Sequence, residues 1–354
     1  MWSPSVTEVM VMLEFLDVGL NTLTKAAMSG GMSHFVLVVY SNILASFFLV
    51  PCSFIFYRQR SRPQLTWSIV YRIFILGLLS CCGQMFHYIG IEYSSPTLAS
   101  AMIDLTPGFT FILAIISRME NLDLRVQSSQ AKSIGTLVLM TGALIVTLYK
   151  GLPIKVAPSS NKLLKEFMLS SQSNWVLGGF FLALHSVILA SYYIVQTWII
   201  RDYPAELMVT LICRIFVSIL SAIVSLVAEK DANAWRLKPN INLMAIGYSA
   251  AFALSLRSVL HTWALKKKGP VYVSMFKPLG MVIAIVSGVA FLGDNIYLGS
   301  LVGAATIALG FYAVIWGQAQ EKLMVDDNEI CSFKSSSQNV PLLQNKACKY
   351  RTFA

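Results

Sequence analysis

His87–Leu122, HYIGIEYSSPTLASAMIDLTPGFTFILAIISRMENL, and His261–Ile296, HTWALKKKGPVYVSMFKPLGMVIAIVSGVAFLGDNI, are two copies of one unit. Each opens with a histidine and, nine residues on, a proline: His87 and Pro96, His261 and Pro270. A serine follows each proline (Ser100, Ser274), and a carboxylate-asparagine pair closes each copy (Glu120-Asn121, Asp294-Asn295). One offset of 174 residues maps all of these. It falls to 168 beyond an insertion near Arg125–Gln130, and then sets Gly135 and Gly142 on Gly303 and Gly310. Duplicated apolar units are typical of transporters, whose substrate site forms between the repeats.

Composition fixes the class. The chain is 56% hydrophobic and 12% charged, with a mean hydropathy of +0.66. Soluble domains carry about 25% charged residues. The 354 residues hold ten apolar stretches, roughly 6–27, 34–56, 70–91, 96–117, 133–149, 175–200, 205–227, 241–264, 271–292 and 296–316. Each is near the ~20 residues that cross a bilayer, and a chain this size cannot bury all ten in a soluble core. The expectation is an all-α polytopic membrane protein of ten transmembrane helices. Residues 1–149 and 175–317 are its five-helix halves, 150–174 a connecting loop, and 318–354 a flexible tail. The first stretch carries Glu8, Glu14, Asp17 and Lys25, so it does not read as a cleavable signal.

Charge sets the orientation. With the amino terminus in the cytosol, sixteen of the 27 Lys and Arg residues fall on the cytosolic side, eight opposite, and three (Arg214, Arg257, Lys277) within spans. That bias predicts cytosolic termini. Five spans per half is an odd number, so the two repeats are expected to be inverted. The loop at Glu92–Ser95 then faces out, and its copy Lys266–Gly269 faces in. The net charge of +10 is explained by topology, and no nucleic-acid module is visible. No cysteine pair has metal-ligand spacing, and no cofactor is expected. The recurring glycines suit close helix packing. They leave two uses open, packing within one chain or a homodimer through spans five and ten.

Ionisable side chains at membrane depth are costly and mark functional sites. Span one carries Glu14, Asp17, Asn21 and Lys25 at spacings of three and four, one helical face. Span three adds Gln84 and His87, span four Asp104 before Pro107, and span six His185, Tyr192 and Gln196. Span eight adds Arg257 and His261, and span nine Ser274 and Lys277 before Pro278. The two prolines free backbone carbonyls in the middle of equivalent spans. Asp104 and Lys277 lie at similar depth past their span-opening prolines, and the expectation is that they pair. Expected to bind substrate are Lys277, Asp104, Arg257, His87, His261, Asn21, Gln84, Tyr192, Gln196 and Ser274. Expected to carry protons are Glu14, Asp17, Asp104 and His185. Duller alternatives exist: hydrated rim positions for Glu14 and Asp17, inter-helix hydrogen bonds for the histidines, snorkelling for Arg257.

Several stretches resemble one family: GMSHFVLVVY at Gly31–Tyr40, SSPTLASAM at Ser94–Met102, LTPGFTFILA at Leu105–Ala114, and KKGPVYVSMFKPL at Lys267–Leu279. FLGD at Phe291–Asp294 and LGS at Leu298–Ser300 extend the match. Together they are similar to the plant nodulin-21-like, or walls-are-thin-related (UMAMIT), transporters of the drug/metabolite transporter superfamily. The resemblance implies two inverted EamA-type repeats. It also implies passage of amino acids or auxin-like organic acids across the plasma or vacuolar membrane, with no catalytic residues. Asp104 stands where the family pattern has asparagine, and Arg257 where an uncharged residue is expected.

The sequence thus points to a secondary transporter or facilitator working by alternating access, with a small-molecule solute and membrane lipid as partners. Its alternatives are a carrier for phosphorylated sugars or nucleotide-sugars, which Arg214, Arg257 and Lys277 would suit, and a non-transporting scaffold. A membrane-embedded enzyme lacks its metal motifs.

Overall fold

A computed structural model of the chain describes residues 5–29, 32–57, 65–93, 102–120, 125–149, 153–154, 175–228, 235, 241–287 and 296–336, without certain side chains among them, Asn21 and Lys25 included. Pro96, Ser100, Asn121, Asp294, Asn295 and the loop 155–174 lie outside the described residues. The helices are α1 (Val6–Ser29), α2 (His34–Tyr57), α3 (Trp67–Tyr93), α4 (Thr106–Ile116) and α5 (Gln127–Leu148). After the loop come α6 (Trp175–Asp202), α7 (Glu206–Ala228), α8a (Ile241–Tyr248), a π-helical segment (Ser249–Leu256) and α8b (Arg257–Lys268). Then follow α9a (Pro270–Ser274), α9b (Lys277–Ser287) and α10 (Leu298–Ser336). Two short strands, Pro153–Ile154 and Ile296–Tyr297, pair antiparallel.

Among the described residues seven helices are long and apolar enough to cross a membrane, and Thr106–Ile116 and Pro270–Ile283 are shorter apolar helices. Lipid reverses the usual sorting of side chains, and α7 shows how. Ile215, Ile219 and Ile223 point outward, whereas Thr210, Arg214, Ser218, Ser221 and Ser225 are buried. Small and polar side chains let helix backbones approach and bond where lipid offers no hydrophobic drive.

The two short helices have a common cause. Pro107 and Pro278 each lie within the first two residues of a helix that starts after a turn, at Asp104-Leu105 and at Met275-Phe276. A proline lacks the amide that a helix interior needs, but the first turn leaves amides unpaired anyway. The chain therefore breaks before each proline and restarts on it.

Packing follows a reciprocal scheme. α3 lies on α6 while α1 lies on α8, and α2 meets α8 while α3 meets α7. α2 with α7, α4 with α9 and α5 with α10 complete the set. The most intimate pair is α5 with α10. A Cβ on Gly135 would sit 2.9 Å from the Gly310 carbonyl, and one on Gly310 2.8 Å from that of Gly135. Gly142 and Gly303 repeat the exchange at 3.1 and 2.8 Å. Each glycine of one helix thus meets the other's non-equivalent glycine, the pattern made by a local two-fold axis perpendicular to two antiparallel helices. Packing within one chain consumes this glycine face.

The tail differs from its expectation. α10 runs on through Ser336, well past Gly317, where the sequence turns polar. Gln318–Met324 favours helix in composition, and Glu321 is tied to the buried Lys132.

Candidate functional site: a buried ion cluster at two helix breaks

Four charges converge where α1, α8b and α9b meet. Lys277 Nζ donates to Glu14 Oε1 at 3.1 Å and to Asp17 Oδ2 at 3.3 Å. The Arg257 guanidinium reaches the same Asp17 oxygen at 3.0 Å. Glu14 and Asp17 share a face of α1, three residues apart. Lys277 is the first residue of α9b, so the helix break sets its height. Arg257 begins α8b directly after the π-helical segment, a local widening that recurs at functional sites. In that segment Ser255 Oγ bonds the carbonyl of Ala250 at 2.7 Å. Glu14 is only 3% exposed, Lys277 9% and Asp17 14%. A hydrated rim does not describe these acids, and Arg257, 28% exposed, turns its guanidinium to Asp17.

Gly280, one turn beyond Lys277, makes room for it: a Cβ there would lie 2.7 Å from Glu14 Oε2. Gly280→Ala is expected to push that carboxylate off Lys277 at a cost of ~1 kcal/mol, about a five-fold loss of transport at unchanged expression. Uptake per molecule of surface protein measures it.

The expected pair of Asp104 with Lys277 is not formed. Asp104 is buried at the α4 break, in electrostatic range of Glu14 and Lys277, and its Oδ2 has no hydrogen-bond partner. Lys277 is instead committed to α1, because α9b packs on α1. The two cations balance Glu14 and Asp17, and Asp104 is a third carboxylate outside that balance.

The other expected residues divide. His261 is buried beside the cluster, stacked on Tyr193 with ring centroids 6.1 Å apart, its Nε2 without a partner. Tyr192 packs against the apolar cluster that includes Cys213 and lies in electrostatic range of Arg214 and Arg257. Gln196 donates to Thr262 at 2.7 Å. His87 and His185 pair with each other instead, centroids 4.9 Å apart, and His185 Nδ1 bonds the Gly83 carbonyl at 2.8 Å. They knit α3 to α6. Ser274 spends its hydroxyl on the Val271 carbonyl at 2.9 Å. Gln84 is half-buried on α3, and the Asn21 side chain lies outside the described residues. No three metal-ligating side chains cluster among the described residues.

The sequence missed a second ion group. Lys132, 1% exposed on α5, bonds Glu120 and Glu321, each at 2.6 Å. Its burial follows from the close α5–α10 approach and the length of α10, and hydropathy reports neither.

Comparison with known proteins follows the same lines. The model of the EamA-like transporter family matches twice, over residues 8–148 and 176–316. WAT1-related protein At3g28050 of Arabidopsis thaliana is 46% identical over 350 residues, 95% of this chain and 94% of its own. WAT1-related protein At5g40210, from the same plant, is 44% identical over 337 residues, 95% and 94% of the two chains. A crystal structure with 15% identity superposes at a TM-score of 0.62 over 87% of this chain and 98% of its own, a likeness of fold alone. With two family matches that span nearly the whole helical bundle and relatives 46% and 44% identical over 95% of its length, the chain belongs to the EamA-like transporter family, as a multi-pass membrane transporter of the WAT1-related kind.

Proposed function

We propose that this chain moves small organic solutes, amino acids or auxin-like organic acids, by alternating access between two inverted five-helix repeats. The observation that carries this is the ion cluster of Glu14, Asp17, Arg257 and Lys277 at the helix breaks. Discontinuous helices and their unpaired backbone groups form substrate sites in transporters. The reciprocal packing of the two halves supplies the rocking elements. Asp104, with an unbonded oxygen beside a balanced cluster, is the group that takes a proton as solute moves; His261 is the second candidate. The membrane is the plasma or vacuolar one, with both termini in the cytosol. One chain is the transport unit.

A panel in oocytes, using labelled amino acids, indole carboxylates and sugar nucleotides, tests the reading. Flux of a carboxylate is expected. If the surface-expressed chain moved sugar nucleotides in preference, or moved nothing, the reading would be lost. The inverted orientation has its own check. In a chain whose native cysteines are replaced by serine, Glu92→Cys is expected to react with an impermeant thiol reagent added outside. Lys266→Cys is expected to react only after the membrane is opened. Labelling of both from one side would refute the inversion.

A further inference from the structure

We propose that the anionic group of the solute docks on Arg214, and not on the cations of the central cluster. This inference rests on the transport reading above. The other cations described inside the bundle are each held by carboxylates. Lys132 is held by Glu120 and Glu321, Lys277 by Glu14 and Asp17, and Arg257 by Asp17. Arg214 is the exception. It lies on α7 with 9% exposure, yet it makes no ion pair among the described residues. One guanidinium nitrogen donates to Ser258 Oγ. A guanidinium has five N–H donors, so most remain for a ligand. A buried charge without a counter-charge is costly in a protein and more so in a membrane. A ligand that brings the missing negative charge removes that cost while it is bound.

The surroundings fit a carboxylate that carries its own hydrogen-bond donor. Gln196, 3% exposed, turns Nε2 to Thr262, and its Oε1 is buried without a partner. Thr262 donates to the Ser258 carbonyl at 2.6 Å and meets the Thr210 hydroxyl at 3.2 Å. An unoccupied acceptor and an unneutralised cation thus sit on one polar seam through α6, α7 and α8b. Tyr192 lies in electrostatic range of both Arg214 and Arg257, an aromatic wall for the organic part of the solute. The seam also leads somewhere. Gln196, Thr210 and Thr262 lie nearer the ends of their helices, at Asp202, Glu206 and Lys268. Arg214 is ~12 Å in from Glu206 at 1.5 Å per residue. Ser258 then adjoins Arg257 in sequence, the first member of the central cluster. An anion on Arg214, beside Ser258, sits one residue along α8b from Arg257 of that cluster.

The test uses the purified full chain in proteoliposomes, with a labelled carboxylate and its primary amide as competitors. Wild type is expected to prefer the acid. Arg214→Gln is expected to raise KM for the acid by roughly ten-fold or more and leave the amide unchanged, so that the preference collapses. Arg214→Lys, which keeps the charge and loses the fork, is expected to fall between them. A merely structural Arg214 would lower the maximal rate for both solutes and keep their ratio, and that result overturns the proposal. A second readout needs no flux: benzoate is expected to raise the melting temperature of the detergent-solubilised wild type, to raise that of Arg214→Lys less, and to leave that of Arg214→Gln unchanged. If benzoate stabilises the wild type but not Arg214→Gln while no carboxylate is transported, the anion seat stands and the transport reading falls. If carboxylates are transported with an unchanged acid-to-amide ratio in Arg214→Gln, the seat falls and the transport reading stands.

Discussion

Lys277→Met abolishes transport and destabilises the fold, whereas Lys277→Met with Glu14→Gln recovers the fold but not the transport. This is the expected outcome of dismantling the central cluster in two steps. The single substitution strands Glu14, 3% exposed, without the one cation that hydrogen-bonds it among the described residues, and leaves Asp17 with Arg257 as its remaining partner there. Removing one partner of a buried pair costs ~3–5 kcal/mol, because the other charge stays buried and uncompensated. Methionine keeps the length of the lysine stem, so packing changes little. Glu14→Gln in the same chain removes the stranded charge, and most of the stability returns. Transport does not return, since the ammonium that joins Glu14 and Asp17 at the helix break is gone. Melting of the detergent-solubilised protein, with uptake normalised to surface expression, separates the two effects. A Lys277→Met chain that transported normally would reduce the cluster to structural glue.

The sequence disclosed heights within the membrane better than neighbours. The spacing of Glu14 and Asp17 placed them on one face, and Arg257 and Lys277 were legible as charges inside apolar runs. All four converge. What misled was the pairing of Lys277 with Asp104. The repeat sets them at similar depth, and depth is all that a linear pattern reports. Which side of a helix meets which neighbour depends on packing. α9b lies on α1 through Gly280, and this gives Lys277 to Glu14 instead. The same ignorance of azimuth hid the pairing of His87 with His185, on two helices with no shared motif. Arg214 was visible as a charge, but that no acidic side chain among the described residues pairs with it shows only in three dimensions. The glycines were read correctly as packing residues because their repeat survives the offset change. Their use within the chain, and not between chains, depended on finding α5 and α10 side by side.

That last distinction gives the second large effect. Gly303→Leu is expected to prevent correct assembly of the bundle. A side chain there meets Val146 and comes within 2.8 Å of the Gly142 carbonyl, an atom fixed by its own helix. Overpacking usually costs about 1–3 kcal/mol, and more where the obstacle is backbone. The local two-fold adds a stricter expectation. Gly142→Leu should have the same phenotype, since Gly142 and Gly303 face each other. A Leu at both positions should not rescue, because each side chain needs space that the other helix's backbone fills. Leu309→Ala on the same helix, 69% exposed toward lipid, should be close to neutral. Size-exclusion profiles of fluorescent fusions would compare them. Had these glycines served a dimer, Gly303→Leu would yield a well-folded, monodisperse monomer. With the glycine faces buried inside one chain, it should instead yield aggregate or no protein, because what separates is one half of the molecule from the other.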